Sequence, residues 1–220
     1  MISNTRLVAG LGVCFVAILA RGANADVTLA NWTFETSVPN TAGPYAAEAG
    51  LFAATSFVTG SHASASAVYS NPVGNGSLES FSSNFWAVGD FYQFTTSTLG
   101  CSGISIGWNQ TRSSTGPSTF DLLWSIDGSN YTLLVNDYIV PAASWSSTTP
   151  DASSVYAPVA GPAGLNNQST VYFRMVCDLA PGATGGTNRI DNIVISAAVP
   201  APGAIALLGV AGLLRSRRRR

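Results

Sequence analysis

Hydrophobic and polar residues alternate over short stretches of this chain, and no stretch keeps a helical spacing for more than a turn or two. The stretches 104–109 and 120–126 show this most clearly, because Ile, Leu, Phe or Trp occupies every second position. A period of two residues is that of a β-strand, whose side chains point to opposite faces in turn. Segments rich in β-branched and aromatic residues predict strands at 27–34, 64–70, 90–96, 104–109, 120–126, 131–135, 171–176 and 189–196.

These segments predict an all-β fold. Gly, Pro, Asn and Ser separate them, and residues 127–130 read Asp-Gly-Ser-Asn, which is typical of a hairpin turn. The stretch 141–167 is rich in Ser, Ala and Pro, and we expect a long loop there with one short strand near Val155. Roughly nine short strands predict a single antiparallel β-sandwich, jelly-roll-like, over residues 26–196.

Residues 1–25 have the pattern of a secretory signal peptide. A polar start carries Arg6, and the apolar run that follows is about 21 Å long as a helix, too short to span a bilayer comfortably. Ala23 and Ala25 form the small-x-small pattern that signal peptidase accepts, so Asp26 is the expected first residue of the mature protein. An uncleaved N-terminal anchor is the alternative.

Residues 197–220 combine a proline motif, a short apolar segment and a basic end. The proline motif consists of Val199, Pro200, Ala201, Pro202 and Gly203, and the chain ends on Arg217, Arg218, Arg219 and Arg220. Prolines mark the start of a helix because they cannot lie in its interior. Arginines stay on the cytoplasmic side of a membrane, so this tail is expected to halt export with residues 26–196 already outside.

Taken in this order, the proline motif, the apolar helix and the arginine block resemble the PEP-CTERM sorting signal, a segment also called the ice-binding protein C-terminal domain. Ala201 stands where the name motif has Glu. The resemblance implies that a membrane enzyme, exosortase, processes the tail near the proline motif. It also implies delivery to the envelope, surface or polysaccharide matrix of a bacterium with two membranes, and it gives no reason to infer ice binding. A plain C-terminal anchor is the alternative.

Residues 27–196 carry a second series of motifs. They are ANWTFE at 30–35, WAVGDFYQF at 86–94, ISIGWNQ at 104–110, TGP at 115–117, WSIDG at 124–128, VYFR at 171–174 and RIDNI at 189–193. The opening Asn-x-x-Phe-Glu strand and the closing Asp-Asn-Ile resemble the galactose-binding-like and carbohydrate-module jelly rolls of exported bacterial proteins. This resemblance carries over no catalytic residue.

Charge excludes several classes of function. The chain has no lysine, and the eleven acidic residues within 26–191 outnumber Arg112, Arg174 and Arg189 by eight. A nucleic-acid-binding domain would instead show a basic patch. The single histidine, His62, excludes a site built from several histidines; it lies among small residues without a nucleophile-elbow pattern, and we expect it to be structural or on the surface.

Removal of the signal peptide leaves two cysteines, Cys101 and Cys177. An even pair in an exported chain favours a disulfide. The two cysteines meet if the strands at 104–109 and 171–176 are antiparallel neighbours in the right register. The bridge would then contribute about 4 kcal/mol through the unfolded state. Two buried free thiols are the alternative.

Glu35 and Asp191 are candidate calcium ligands. In the jelly rolls that this chain resembles, the first and last strands lie together, and a carboxylate from each holds a structural Ca²⁺ with backbone oxygens. Oxygen is the ligand that Ca²⁺ prefers. Alternatively, Glu35 pairs with Arg189 or caps a turn.

Tryptophans are the candidate ligand-binding residues, because flat apolar rings with polar edges stack on sugar faces. Trp108 and Trp124 alternate with aliphatic residues and are expected in the core. Trp86 and Trp145 lie next to loops and are the better candidates, with ordinary packing as the alternative.

The sequence therefore predicts an exported, exosortase-sorted surface or matrix protein with a non-catalytic, structural or adhesive domain. A module that binds an exopolysaccharide is the alternative. A hydrolase is less favoured, because it needs two carboxylates facing a cleft, and Asp127, Asp137 and Asp151 have turn-like contexts.

Overall fold

Twelve β-strands and three short 3₁₀ helices make up the described part of the chain, residues 25–179 and 181–199 of a computed structural model. The strands are β1 (Ala25–Trp32), β2 (Tyr45–Ala46), β3 (Phe57–Ser61), β4 (Tyr69–Ser70), β5 (Phe81–Ser83), β6 (Phe91–Thr96), β7 (Ser102–Arg112), β8 (Thr119–Ser125), β9 (Thr132–Ile139), β10 (Val155–Ala160), β11 (Val171–Cys177) and β12 (Asn188–Val199). The 3₁₀ helices are Ala53–Thr55, Ala152–Ser154 and Ala163–Leu165.

The predicted terminal signals lie outside the described residues, apart from their innermost positions. Ala25 begins β1, and β12 continues to Val199, past the predicted domain end at residue 196. Within the described ranges, no helix has the length and apolar character needed to cross a membrane.

The strands form two antiparallel sheets, which confirms the predicted β-sandwich. The first sheet has the order β10-β7-β12-β5-β4. β12 has β7 on one side; on its other side, β5 pairs with its first residues and β1 pairs with residues 193–199. The second sheet has the order β2-β3-β6-β11-β8-β9. The resemblance to jelly rolls implied that the first and last strands lie together, and the pairing of Trp32 with Ile193 shows that they do.

β12 is the central strand of the first sheet and carries an irregularity that matters for the site. Its pairing with β7 shifts register between Asp191 and Val194, and Asn192 adopts a left-handed backbone conformation with φ 49°. Asn tolerates this conformation better than most residues do. The bulge re-aims the side chains beside it, as β-bulges do.

The core lies between the sheets and is rich in aromatic rings. Trp32 of the first sheet and Phe94 of the second meet edge to face, with 5.4 Å between ring centroids. Phe81 and Tyr92 also connect the sheets, with tilted rings whose centroids are 5.2 Å apart. Trp108 is 2% exposed, which confirms its predicted core position. Truncating one such ring to Ala should lower the free energy of unfolding by roughly 3–5 kcal/mol.

The predicted strands agree with the structure where alternation is strong. β2, β3 and β5 were not predicted, because they span only two to five residues each. The predicted strand at 64–70 is a strand only at Tyr69–Ser70, since its small residues form a turn in which the Ala67 N–H donates to the Ser64 carbonyl at 3.2 Å. The short strand expected near Val155 is β10.

The predicted disulfide between Cys101 and Cys177 is wrong, and both thiols are free. β7 and β11 belong to different sheets, so they are not the neighbours that the prediction required. The Cys101 carbonyl accepts a hydrogen bond from Asn167, near the beginning of β11, whereas Cys177 ends that strand. Six steps along a strand cover about 20 Å, far beyond the reach of a disulfide.

Alkylation distinguishes the two thiols. Cys101 is half-buried, whereas burial raises the pKa of Cys177 to about 12 and keeps it a thiol at pH 8. We expect iodoacetamide to modify Cys101 in the folded protein and Cys177 only after unfolding, without any reductant. Peptide mass mapping assigns each cysteine, and a disulfide-linked peptide containing both would contradict the structure.

Candidate binding cleft

A cleft of about 440 Å³ lies where three loops meet the ends of β7 and β12. Its lining combines two arginines, one tryptophan, three serines and three small apolar residues: Val73, Arg112, Ser113, Ser114, Ala142, Ala143, Ser144, Trp145 and Arg189. The volume is within the usual range of small-molecule sites, about 300–1,000 Å³. No carboxylate, histidine or cysteine is among these residues.

Trp145 forms one wall of the cleft. It lies in the β9–β10 loop and is 7% exposed, and the Cζ of Arg189 is 5.8 Å from its ring centroid. Its Nε1 is buried and has no hydrogen-bond partner among the described residues. The sequence prediction therefore chose a residue that does line a cleft, although the ring is less exposed than a stacking platform requires.

Backbone carbonyls hold the two arginines of the cleft in place. Arg112 donates from Nε to the Val140 carbonyl at 3.0 Å and from Nη1 to the Ser113 and Ser114 carbonyls at 3.1 and 2.9 Å. Arg189 donates from Nη1 to the Val73 carbonyl at 3.1 Å. These acceptors fix the guanidinium groups but do not neutralise them.

The sequence interpretation missed both arginines as binding residues: it counted them as charges and named Arg189 only as an alternative partner of Glu35. One signal for them existed: in a region without lysine, three arginines carry the whole positive charge. What the sequence did not show is that two of them converge on one cleft.

Asp191 anchors the β4–β5 loop beside the cleft. Its side chain is fully buried, and its Oδ2 accepts hydrogen bonds from the Asn75 N–H at 2.8 Å and the Ser77 hydroxyl at 2.7 Å. Asn192 adds its side-chain amide to Oδ2 at 3.0 Å and its backbone N–H to Oδ1 at 2.7 Å. Gly74 lies so close that an added Cβ would be 2.4 Å from Oδ2, so this loop requires glycine there.

Asn75 connects the same loop to the β9–β10 loop that carries Trp145. Its side chain accepts from the Asp151 N–H at 2.6 Å and donates to the Asp151 carbonyl at 3.2 Å. The Gly76 N–H adds a bond to the Ser146 carbonyl at 2.8 Å. The walls formed by the two loops are therefore held together by hydrogen bonds that begin at the bulge of β12.

Glu35, the other predicted calcium ligand, is exposed and accepts a hydrogen bond from the Glu79 N–H at 2.9 Å. Calcium needs oxygen ligands that point at the ion. Asp191 accepts from N–H and O–H donors, and the Glu79 carbonyl oxygen also lies beside its Oδ2, since both are within 2.4 Å of the position that a Cβ on Gly74 would take. Within the described ranges, no group of three Asp, Glu, His or Cys side chains is placed to hold a metal ion. A calcium site at Glu35 and Asp191 stays a prediction.

Trp86 does not line the cleft. It is 4% exposed, its Nε1 donates to the Ser83 carbonyl at 2.9 Å, and its ring packs edge-on against Tyr92 and Phe120. Its neighbours are thus those of a core residue, and the expectation that it presents its ring to a ligand was wrong.

His62 belongs to a buried chain of polar groups. Its Nδ1 is 3.0 Å from Asp90 Oδ2, and its Nε2 is 3.0 Å from the Ser83 hydroxyl, which in turn lies 3.1 Å from the Tyr92 hydroxyl. The Tyr92 hydroxyl in turn donates to the Asn188 carbonyl at 2.9 Å.

The order Ser83, His62, Asp90 is that of a nucleophile, a base and an orienting carboxylate. However, the His62 and Asp90 side chains are 1% and 3% exposed and Ser83 is 1% exposed, so a substrate cannot reach the hydroxyl. Burial lowers the pKa of His62, although the nearby Asp90 carboxylate opposes this. The arrangement joins β5 and β6 within the core, as the sequence interpretation of His62 as structural predicts.

Known structures of similar shape include the K2 cleaved adhesin domain of Lys-gingipain (Kgp), which is 15% identical with a TM-score of 0.46 over 78% of this chain and 99% of that chain. TmCBM61 in complex with beta-1,4-galactotriose is 10% identical, with a TM-score of 0.39 over 74% and 92%. The Clostridium thermocellum Xyn10B CBM22-1-GH10 modules, complexed with xylohexaose, are 12% identical, with a TM-score of 0.42 over 79% and 29%. Neither protein-family models nor curated protein sequences give a match. At TM-scores below 0.5, these likenesses say nothing about what this chain binds.

The pH dependence of stability tests the role of Asp191. Burial raises the pKa of Asp191 to about 6, so between pH 4 and 6 the folded protein keeps a proton that the unfolded chain has released. The contribution of this group to the free energy of unfolding therefore falls as the pH rises from 4 to 6, by up to about 3 kcal/mol, and is constant above. We expect the stability difference between wild type and Asp191→Asn to decrease over this range in urea unfolding.

Asp127→Asn is the control in which the pH dependence has the opposite sign. Hydrogen bonds from Asn130 lower the pKa of Asp127, so this carboxylate stabilises the folded state above the pKa of the unfolded chain, and the stabilisation is lost as the pH falls below it. A pH-independent difference for Asp191→Asn would contradict the buried state of this carboxylate. The same measurements in EDTA and in CaCl₂ test the calcium prediction, and a lower stability in EDTA would support it.

Proposed function

We propose that the chain is an exported surface or matrix protein whose β-sandwich is a non-catalytic binding domain, and that the cleft around Trp145 binds a matrix saccharide. One observation carries this proposal: the cleft lining brings Trp145 together with Arg189, whose Cζ is 5.8 Å from the indole centroid, and with Arg112 and three serines. Such a combination of an apolar ring with a few polar groups is typical of small-molecule sites.

The chemistry of a pyranose ring matches this lining. Its C–H groups can contact the accessible part of the Trp145 indole, and its hydroxyls accept hydrogen bonds from guanidinium N–H groups and exchange them with serine hydroxyls. Ser144 is exposed and Ser113 is half-buried, so both hydroxyls lie at the accessible rim.

A binding role is favoured over hydrolysis by what lines the cleft. Glycosidases use a pair of carboxylates, and a serine nucleophile needs an adjacent base. The nine lining residues supply neither, and the one Ser-His-Asp arrangement among the described residues is buried in the core.

Export and sorting form the second half of the proposal and rest on the sequence. Residues 1–25 would direct secretion and be removed by signal peptidase, and residues 197–220 would be handed to an exosortase-like membrane enzyme. The acidic, lysine-free composition of residues 26–196 is compatible with an extracellular location.

Glycan-array binding tests the cleft. We use the full chain, purified in a polyoxyethylene detergent because maltoside detergents carry sugar. We expect wild type to bind a subset of glycans and Trp145→Ala to bind them about tenfold more weakly, since the loss of an aromatic contact costs about 1 kcal/mol or more. Trp145→Phe should retain most of the binding.

Tyr172→Ala is the matched control, because Tyr172 is a half-buried aromatic on β11 in the other sheet. Thermal unfolding of each variant shows whether it is folded. Absence of binding across the array would overturn the proposal and favour a purely structural domain.

Mass spectrometry of the protein recovered from an exporting bacterial host tests the terminal signals. We expect the mature chain to begin at Asp26, because Ala23 and Ala25 satisfy the specificity of signal peptidase. Ala23→Leu should leave the leader attached, since a bulky residue does not fit there. A wild-type chain that retains residue 1 would contradict cleavage, and one that retains Arg220 at the cell surface would contradict processing of the tail.

A further inference from the structure

The guanidinium groups of this domain lack carboxylate partners, although acidic residues are abundant. Eleven Asp and Glu side chains accompany Arg112, Arg174 and Arg189 in the described ranges, yet none of these carboxylates lies within 4.0 Å of a guanidinium nitrogen. Arg174 is instead sandwiched between the rings of Phe91 and Tyr131, 4.0 and 3.9 Å from their centroids. The other two arginines face the cleft.

The cleft therefore keeps two uncompensated positive charges. Of five guanidinium N–H donors, Arg189 uses one in a hydrogen bond to protein, and Arg112 has no partner for Nη2 among the described residues. Both side chains are half-buried, and burial lowers the pKa of Arg189, which reflects the unfavourable desolvation of its charge. Binding an anion would offset this desolvation.

The two arginines lie on neighbouring strands. β12 pairs with β7 so that Asn188 is opposite Arg112 and Arg189 is opposite Thr111, which starts the two side chains on opposite faces of the sheet. Both residues nevertheless line the cleft, because it lies at the end of these strands. Carbonyl acceptors on three separate loops hold the guanidinium groups at the cleft before any ligand binds. Arg189 keeps Nε and Nη2 free of partners in the part of the chain that the structure describes, so it can donate the two parallel hydrogen bonds that a guanidinium fork forms with a carboxylate or sulfate. Arg112 has only Nη2 left and can add a single charge-assisted contact.

We propose that the cleft selects a saccharide bearing an isolated anionic group, a uronate carboxylate or a sulfate ester, which Arg112 and Arg189 bind while Trp145 contacts the sugar ring. This inference rests on the proposed function and specifies its ligand class. The excess of eight negative charges on the domain disfavours densely charged polymers, because each further anion is repelled by the surrounding surface. A sparsely charged saccharide avoids that repulsion and still fills the cleft.

Three trisaccharides that differ at a single sugar position test the selectivity. At that position they carry a primary alcohol, a uronate carboxylate or a 6-sulfate, and calorimetry measures their affinity for the full chain in sugar-free detergent. We expect the acidic forms to bind at least about tenfold more tightly than the neutral form, because charge-assisted hydrogen bonds are worth about 1.5–3 kcal/mol. Tighter binding of the carboxylate or of the sulfate identifies which source of the anion the cleft prefers.

Arginine variants locate the effect. Arg112→Gln and Arg189→Gln should each weaken the acidic forms much more than the neutral form, so that most of the preference for the acidic forms is lost. Arg189→Lys keeps the charge without the planar fork and should be intermediate. Arg174→Gln removes the same charge outside the cleft and should change neither affinity. Trp145→Ala should weaken all three ligands alike.

The outcomes separate this inference from the proposed function. Equal binding of neutral and acidic forms, unaffected by the arginine variants, would overturn the inference and leave saccharide binding intact. Failure of every saccharide to bind would overturn both. Tighter binding of polygalacturonate or of single-stranded DNA than of the singly charged trisaccharide would contradict selection for an isolated anion.

Discussion

The buried carboxylate of Asp191 is the interaction on which the cleft depends. It lies next to the bulge of β12, where Asn192, in a left-handed backbone conformation, donates to it from both its backbone N–H and its side-chain amide. In the same β4–β5 loop, the Asn75 side chain accepts from the Asp151 N–H in the loop that carries Trp145, and the Val73 carbonyl accepts from Arg189. One local break in a regular strand thus positions two loops and a cation, and the sheet beneath supplies the rigidity that those loops lack.

Two polar groupings in this domain show how differently similar chemistry can be used. The chain from Asp90 through His62 to Ser83 is satisfied at both ends by protein groups and sealed inside the core, so it acts as a structural link. Arg112 and Arg189 are satisfied only by neutral carbonyls at an accessible cleft. Burial and unmet charge, rather than residue type, separate a structural network from a candidate site.

The sequence was informative where structure follows from local pattern. Alternation located the long strands, and turn chemistry located the β8–β9 hairpin. The shortest strands escaped, because two or three residues carry no measurable period. The pairing of Cys101 with Cys177 failed because local pattern does not say which sheet a strand joins. Trp145 was found by its residue type. Arg112 and Arg189 could be recognised only from the structure, which shows that they line the cleft without a carboxylate partner.

The distribution of charge also explains why selectivity need not require many contacts. At physiological ionic strength, charges are screened beyond about 8 Å, so a ligand meets mainly the local field of the surface that it touches. At the cleft that field comes from two guanidinium groups with no lining carboxylate, whereas the domain as a whole is acidic. A single anion that reaches the cleft is attracted at contact, and a polyanion lying along the surface is repelled over most of its length. Discrimination between them then comes from the surroundings of the site as much as from the site itself.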